Sequence, residues 1–425
     1  MRAMFRDVSR RPAPASNSSG SNLSPAAASS AAPPPYQRDS PHAWRMVAAG
    51  FLATFTLFGV AYSFGAFFRP IAAEFGASRT ATSAIFSITA FIYFILGPLT
   101  GHLADRFGPR PVAAIGAIAT GTGLLLTASI HRLAMAYLTY GLGVGVGVAC
   151  CYVPLVAAVS GWFLKRRNTA LGITVSGIGA GTLAIAPLAA TLIKHYGWRE
   201  AYVMLGMGAT ASLLVCVWLA EPPPVELDSP APPMREIFRS APFRLMYAGC
   251  LLWTVATAVP FVFLPSFAHS IGIKPVAAAT LVGIIGFAST AGRVGLGPIA
   301  DRHGIIRAFQ GCILALGLSF TLWLAAQSYW PLAGFALAMG VSYGGAVALT
   351  PAVLAELFGT RGLGVVLGML YTSSAISTLL GPPLCGAIID HTGSYRIAAA
   401  FTMALTAGAF AVLLPLGRVE RIAGV

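Results

Sequence analysis

GHLADRFGPR, residues 101–110, and GPIADRHGIIR, residues 297–307, are one short polar motif written twice in a chain of 425 residues. A shift of 196 superposes Gly101 on Gly297, Ala104 on Ala300, Asp105 on Asp301, Arg106 on Arg302 and Gly108 on Gly304. Carried downstream without a gap, the same shift matches Gly172 to Gly368, Pro187 to Pro383 and Gly197 to Gly393. One offset that holds from Gly101 to Gly197 argues for two homologous halves. Within each copy the glycines permit a tight reversal. The carboxylates of Asp105 and Asp301, with Arg106, Arg110 and Arg302, can pair with each other and with neighbouring helix ends.

Around these motifs the chain is apolar to a degree that a globular surface cannot accommodate, with 56% hydrophobic and only 9% charged residues. A lipid bilayer must supply the solvent. A hydrocarbon core of about 30 Å takes roughly 20 apolar residues as helix, and helices satisfy their own backbone in lipid. Polar or proline-containing breaks divide the sequence into spans near 43–68, 81–103, 111–130, 133–161, 169–193 and 199–220. Six more follow, near 243–268, 275–299, 307–326, 330–356, 362–389 and 395–417. The expectation is an all-α membrane protein of twelve transmembrane helices in two pseudo-symmetric six-helix bundles, 43–220 and 242–417, joined by a polar loop at 221–241.

Residues 1–42, rich in Pro, Ala and Ser, read as a disordered cytoplasmic tail, and 418–425 as a cytoplasmic C-terminus. The excess of 27 Lys and Arg over 13 Asp and Glu lies scattered in short loops without a basic stripe, which excludes a nucleic-acid partner. With the tail set aside, the connections on the side of both termini hold 14 basic residues and the opposite side 7, which places the termini in the cytoplasm. The short loops suit a bacterial inner membrane. Six cysteines sit in apolar runs without ligand spacing, so neither a metal nor a cofactor is expected. No P-loop, H-E-x-x-H or G-x-S-x-G occurs, so no enzyme is expected.

The doubled motif resembles the loop motif of the major facilitator superfamily, where resemblance implies that Gly101, Asp105, Arg106, Gly108, Arg110, Asp301 and Arg302 latch the cytoplasmic side during alternating access. WFLKRRNTALGITVSGIGAG, 162–181, with Pro187 and YGWREA, 196–201, is similar to the fifth-helix signature of the monocarboxylate transporter family. The stretch 355–395, with its Gly-Pro pair and D-x-TGSY ending, resembles that family's eleventh helix, so the likeness spans roughly 43–417. Gly177 with Gly181, Gly141 with Gly145 and Gly143 with Gly147 have the small-xxx-small spacing of close helix contacts.

Arg293 stands eight residues before Asp301, hence about 12 Å along a helix from the loop. No acid in the sequence is an obvious buried partner, and an uncompensated intramembrane cation costs several kcal/mol. Arg293 can bind an anionic substrate or pair with carbonyls or a loop acid. The first is the expectation, because the family resemblance implies an eighth-helix arginine that holds the substrate carboxylate, and a guanidinium forms two parallel hydrogen bonds to one. Tyr62, Tyr152, Ser289, Tyr343, Tyr371 and Ser373 are further candidates for substrate contact, each equally readable as packing. Ser289 stands where many animal members carry an aspartate, and the first-helix lysine is missing near Tyr62. If protons are carried, His269 is the candidate, although it also reads as an interfacial residue.

The expectation is therefore secondary transport of a small organic monocarboxylate such as a lactate- or pyruvate-like acid, by a monomer in the lipid bilayer, with protons as a candidate second cargo. Its rivals are export of drugs or other metabolites, and a non-transporting membrane sensor whose tail signals.

Overall fold

The computed structural model describes residues 39–163, 166–223, 234–359 and 363–418. Among these residues, twelve helices are long and apolar enough to cross a membrane. The first six are α1 (Ala43–Glu74), α2 (Arg79–Phe107), α3 (Pro109–Ala128), α4 (Leu133–Trp162), α5 (Arg167–Tyr196) and α6 (Trp198–Leu219). The second six are α7 (Ala241–Ser270), α8 (Pro275–Gly295), α9 (Ile305–Ala325), α10 (Tyr329–Phe358), α11 (Leu363–Thr392) and α12 (Tyr395–Leu413). The end of the bundle that carries residues 39 and 418 is here the base, and the opposite end the rim.

Several helices outrun the apolar windows that announce them. The window 43–68 becomes a helix to Glu74, because Arg69 and Glu74 in its last turns lie where polar side chains meet the interface rather than the hydrocarbon. The window 275–299 divides at Leu296 into α8 and a short helix Gly297–His303, and a further short helix, Met234–Arg239, lies in the segment between the halves.

The internal repeat reaches into the backbone. Left-handed glycines close turns at Gly76 and Gly272, at Gly108 and Gly304, and at Gly197 and Gly393, three pairs each separated by 196 residues. Only a residue without Cβ adopts that conformation freely, so these turns fix the chain reversals at equivalent places in both halves. Arginines repeat the same logic at the rim. Arg199 donates to the carbonyl of Ala128 at 2.7 Å and Arg396 to that of Ala326 at 2.9 Å, each satisfying the end of the third helix of its own half.

Within the first half, α1 packs along α5, where a Cβ on Gly181 or Gly177 would overlap the α1 backbone at Phe55 and Phe51. Gly141 and Gly145 turn toward α2, while Gly143 and Gly147 turn toward α3, so the small-residue spacing serves helix contact at all three pairs. The halves meet along α5 with α8, α2 with α11 and α1 with α7. Among the described residues, α4 and α10 pack on their own halves and make no more than isolated touches across the seam.

Candidate functional site

The rim is closed by contacts that cross the seam. The Asp390 carboxylate, on α11, accepts the backbone N–H of Arg79 at 3.1 Å, that of Thr80 at 3.0 Å, the Thr80 hydroxyl at 3.0 Å and Arg79 Nη1 at 3.3 Å. Arg79 Nε donates to the Tyr395 hydroxyl at 3.3 Å. A carboxylate from one half therefore caps the first turn of α2 in the other, where unpaired N–H groups and the helix dipole both favour an anion. Between α1 and α7, Arg69 is hydrogen-bonded to His269, and a Cβ on Gly65 would lie 2.5 Å from the Phe261 carbonyl.

Below that closure an aromatic layer spans the seam. Tyr62 stacks on Phe261 of α7 with ring centroids 4.1 Å apart, and Phe261 meets Tyr343 of α10 edge-on at 6.2 Å. Phe58 is the hub on the first half, 5.2 Å from Tyr152, 5.7 Å from Tyr62 and 6.0 Å from Tyr93. Phe94 lies between Tyr93 at 4.5 Å and Tyr371 of α11 at 5.9 Å. The apolar rings fix the tyrosines from behind, which leaves their hydroxyls as the variable polar element.

Three of the tyrosines sense one charge. Tyr62, Tyr152 and Tyr371 lie in the field of the Arg293 guanidinium, and Tyr343 neighbours Tyr62, Tyr93, Tyr152 and Tyr371. Arg293 stands in the last turn of α8, with helical hydrogen bonds carrying the path on through Leu296 to Ala300. Its Nη1 donates across the seam to the Val175 carbonyl of α5 at 3.2 Å, while its buried Nε has no hydrogen-bond partner. Among the described residues the ion pairs are His42–Glu221, Arg79–Asp390 and Arg199–Glu74, all at helix ends, so no carboxylate pairs with Arg293. The arrangement offers one cation, an unused N–H and phenolic hydroxyls from both halves, which is the donor set of an oxyanion site.

Of the residues singled out from the sequence, Tyr62, Tyr152 and Tyr371 lie within the electrostatic reach of Arg293, and Tyr343 adjoins those tyrosines. Ser289 and Ser373 turn their hydroxyls into their own helices. Both are buried, Ser289 Oγ donating to Gly286 at 2.8 Å and Ser373 Oγ to Leu370 at 2.6 Å. Tyr93 joins the cluster unforeseen, since within FIYFILG it reads as one more packing aromatic. His269 lies at the rim with Arg69, away from the tyrosines. At the base, Gly108 forms the α2–α3 turn and Arg110 holds the end of α6, donating to the carbonyls of Ala220 at 3.0 Å, Trp218 at 3.1 Å and Val217 at 3.2 Å. Gly101 lies in α2, Arg106 and Arg302 are exposed, and the side chains of Asp105 and Asp301 lie outside the described residues. Among the described residues no group of three or more His, Cys, Asp or Glu could hold a metal ion, and all six cysteines are buried and unpaired.

A model of the Major Facilitator Superfamily matches residues 50–319 and 295–423. Monocarboxylate transporter 13 of Bos taurus is 31% identical over 372 residues, covering 85% of this chain and 87% of the relative. The chain belongs to the monocarboxylate transporters of the major facilitator superfamily. Monocarboxylate transporter 3 of Rattus norvegicus is 30% identical, over 83% of this chain and 76% of its own, and monocarboxylate transporter 12 of Homo sapiens 29% identical, over 84% and 76%. Among solved structures, a bacterial homologue of the human lysosomal transporter Spinster, inward-facing and occupied, superposes with a TM-score of 0.71 over 90% of this chain and 98% of that one. At 17% identity that likeness concerns the fold, which the two six-helix halves of this monocarboxylate transporter share.

Proposed function

We propose that this protein carries a small organic monocarboxylate, a short 2-oxo or 2-hydroxy acid, across the membrane by alternating access, with Arg293 holding the carboxylate. The observation that supports this most is the deep guanidinium that no carboxylate neutralises among the described residues, with tyrosines of both halves in its field. One cation suits one negative charge, and the planar fork suits a carboxylate. Because Arg293 and Tyr371 belong to one half and Tyr62 and Tyr152 to the other, a bound acid gives both halves a common ligand around which to rock. The excess of basic residues on the side of the termini supports cytoplasmic termini and hence a base that faces the cytoplasm. The names of the relatives agree with this substrate class.

The experiment is uptake of labelled pyruvate and lactate into liposomes that hold wild type or Arg293→Ala in equal, correctly inserted amounts. Uptake by wild type alone supports the reading. Equal uptake by both would sink it. An inward proton gradient that accelerates wild type but not His269→Gln would assign proton symport through His269, and equal rates in both would exclude that residue.

A further inference from the structure

α5 and α8 cross at Gly179 and Gly286, where each glycine abuts the other's backbone and any Cβ on Gly179 would overlap the Gly286 carbonyl. One turn closer to the base, Arg293 Nη1 of the second half rests on the Val175 carbonyl of the first at 3.2 Å. Val175 lies inside α5, so its carbonyl already accepts a helical N–H and offers Arg293 only its second lone pair. That is a neutral acceptor for a charged donor, whereas a carboxylate brings an opposite charge and two parallel hydrogen bonds to a guanidinium.

We infer that the Val175 carbonyl is a stand-in for the substrate carboxylate, holding Arg293 against the opposite half until an acid takes the guanidinium away. The inference rests on the proposed role of Arg293 and adds the step that couples occupancy to motion. With the stand-in bond made, α5 and α8 are joined at two levels, the glycine crossing and the guanidinium one turn below. With the bond broken, the packing at the crossing and on its rim side remains, and the helices are free to splay at the base about it. Arg293 thereby reads substrate and releases the seam in one exchange of hydrogen bonds, without a second charged group.

The test places spin labels at Ile173→Cys on α5 and Val294→Cys on α8, both exposed at 41% and 71%. The background has the native cysteines replaced, and labelled protein must still transport. Distances are measured by double electron–electron resonance with and without saturating pyruvate. The expected result is a longer or broader distribution when pyruvate is added to wild type, and the same distribution in Arg293→Ala without ligand. Arg293→Gln, which keeps a neutral N–H for the carbonyl, is expected to match unliganded wild type and to ignore pyruvate. A ligand-free Arg293→Ala distribution identical to that of wild type would overturn the inference, even if pyruvate is not carried. Pyruvate transport with an unchanged distance would remove the stand-in while leaving the substrate role of Arg293 intact.

Discussion

Replacing Asp390 by alanine should shift the carrier toward rim-open states without unfolding it. The carboxylate accepts two backbone N–H groups and one hydroxyl from the first turn of α2, all near 3.0–3.1 Å, in addition to Arg79 Nη1. At the rim the released donors turn to water, so each counts at a net value of about 0.5–1 kcal/mol. The ion pair, with side chains 40% and 24% exposed, adds little. The sum is about 2 kcal/mol, or roughly 30-fold in the ratio of closed to open rim. Asp390→Asn keeps one acceptor oxygen and should give about half of that, near fivefold. The α2 terminus itself survives, because Ser78 caps it from its own chain by accepting the Ala81 N–H at 3.1 Å. Spin labels at His131→Cys and Lys274→Cys, exposed rim positions on opposite halves, report the opening in membranes. An Asp390→Ala distance distribution that overlays wild type would refute the reasoning, since a cap of four hydrogen bonds across the seam cannot be removed without consequence if it holds the rim.

Gly65→Ala and Gly386→Ala insert a methyl 2.5 Å from the Phe261 carbonyl and 2.7 Å from the Thr80 amide, and should wedge the rim apart at a cost of about 1–3 kcal/mol. The same label pair should show the open population rising, and an unchanged distribution would contradict the close approach. Arg110→Gln removes charged donors from three carbonyls at the end of α6 and should lower the midpoint of thermal unfolding while leaving uptake per folded molecule intact. Loss of uptake at normal thermal stability would instead give Arg110 a part in gating. Tyr93→Phe should raise the KM for pyruvate about fivefold, the worth of one hydrogen bond near 1 kcal/mol, and an unaltered KM would leave Tyr93 to packing.

The overall architecture was written in the chain plainly enough to read. A bilayer imposes its length on every span, so twelve apolar windows become twelve helices among the described residues, and the 196-residue shift that pairs Gly108 with Gly304 survives as a positive-φ glycine at each turn. The Gly76 and Gly272 turns obey the same shift without a motif to announce them, because EFGAS and SIGIK share nothing but the glycine that the turn requires. Arg293 was legible because a charge inside an apolar window is expensive and therefore conspicuous. Tyr93 was not, because a tyrosine among phenylalanines costs nothing in sequence, and only the fold reveals that its hydroxyl meets that of Tyr62. The rim cap was equally hidden. Asp390 and Thr80 are 310 residues apart, and a carboxylate at one helix end gives no sign of which helix start it will meet.

Equilibrium titration of purified carrier with pyruvate and with pyruvamide, its uncharged amide of nearly the same shape, separates charge recognition from everything else about the site. If Arg293 holds the carboxylate, wild type should bind pyruvate and not pyruvamide, Arg293→Lys should bind pyruvate more weakly because its ammonium cannot form the fork, and Arg293→Ala should bind neither. Pyruvate bound by Arg293→Ala with wild-type affinity would contradict the assignment of the carboxylate to Arg293.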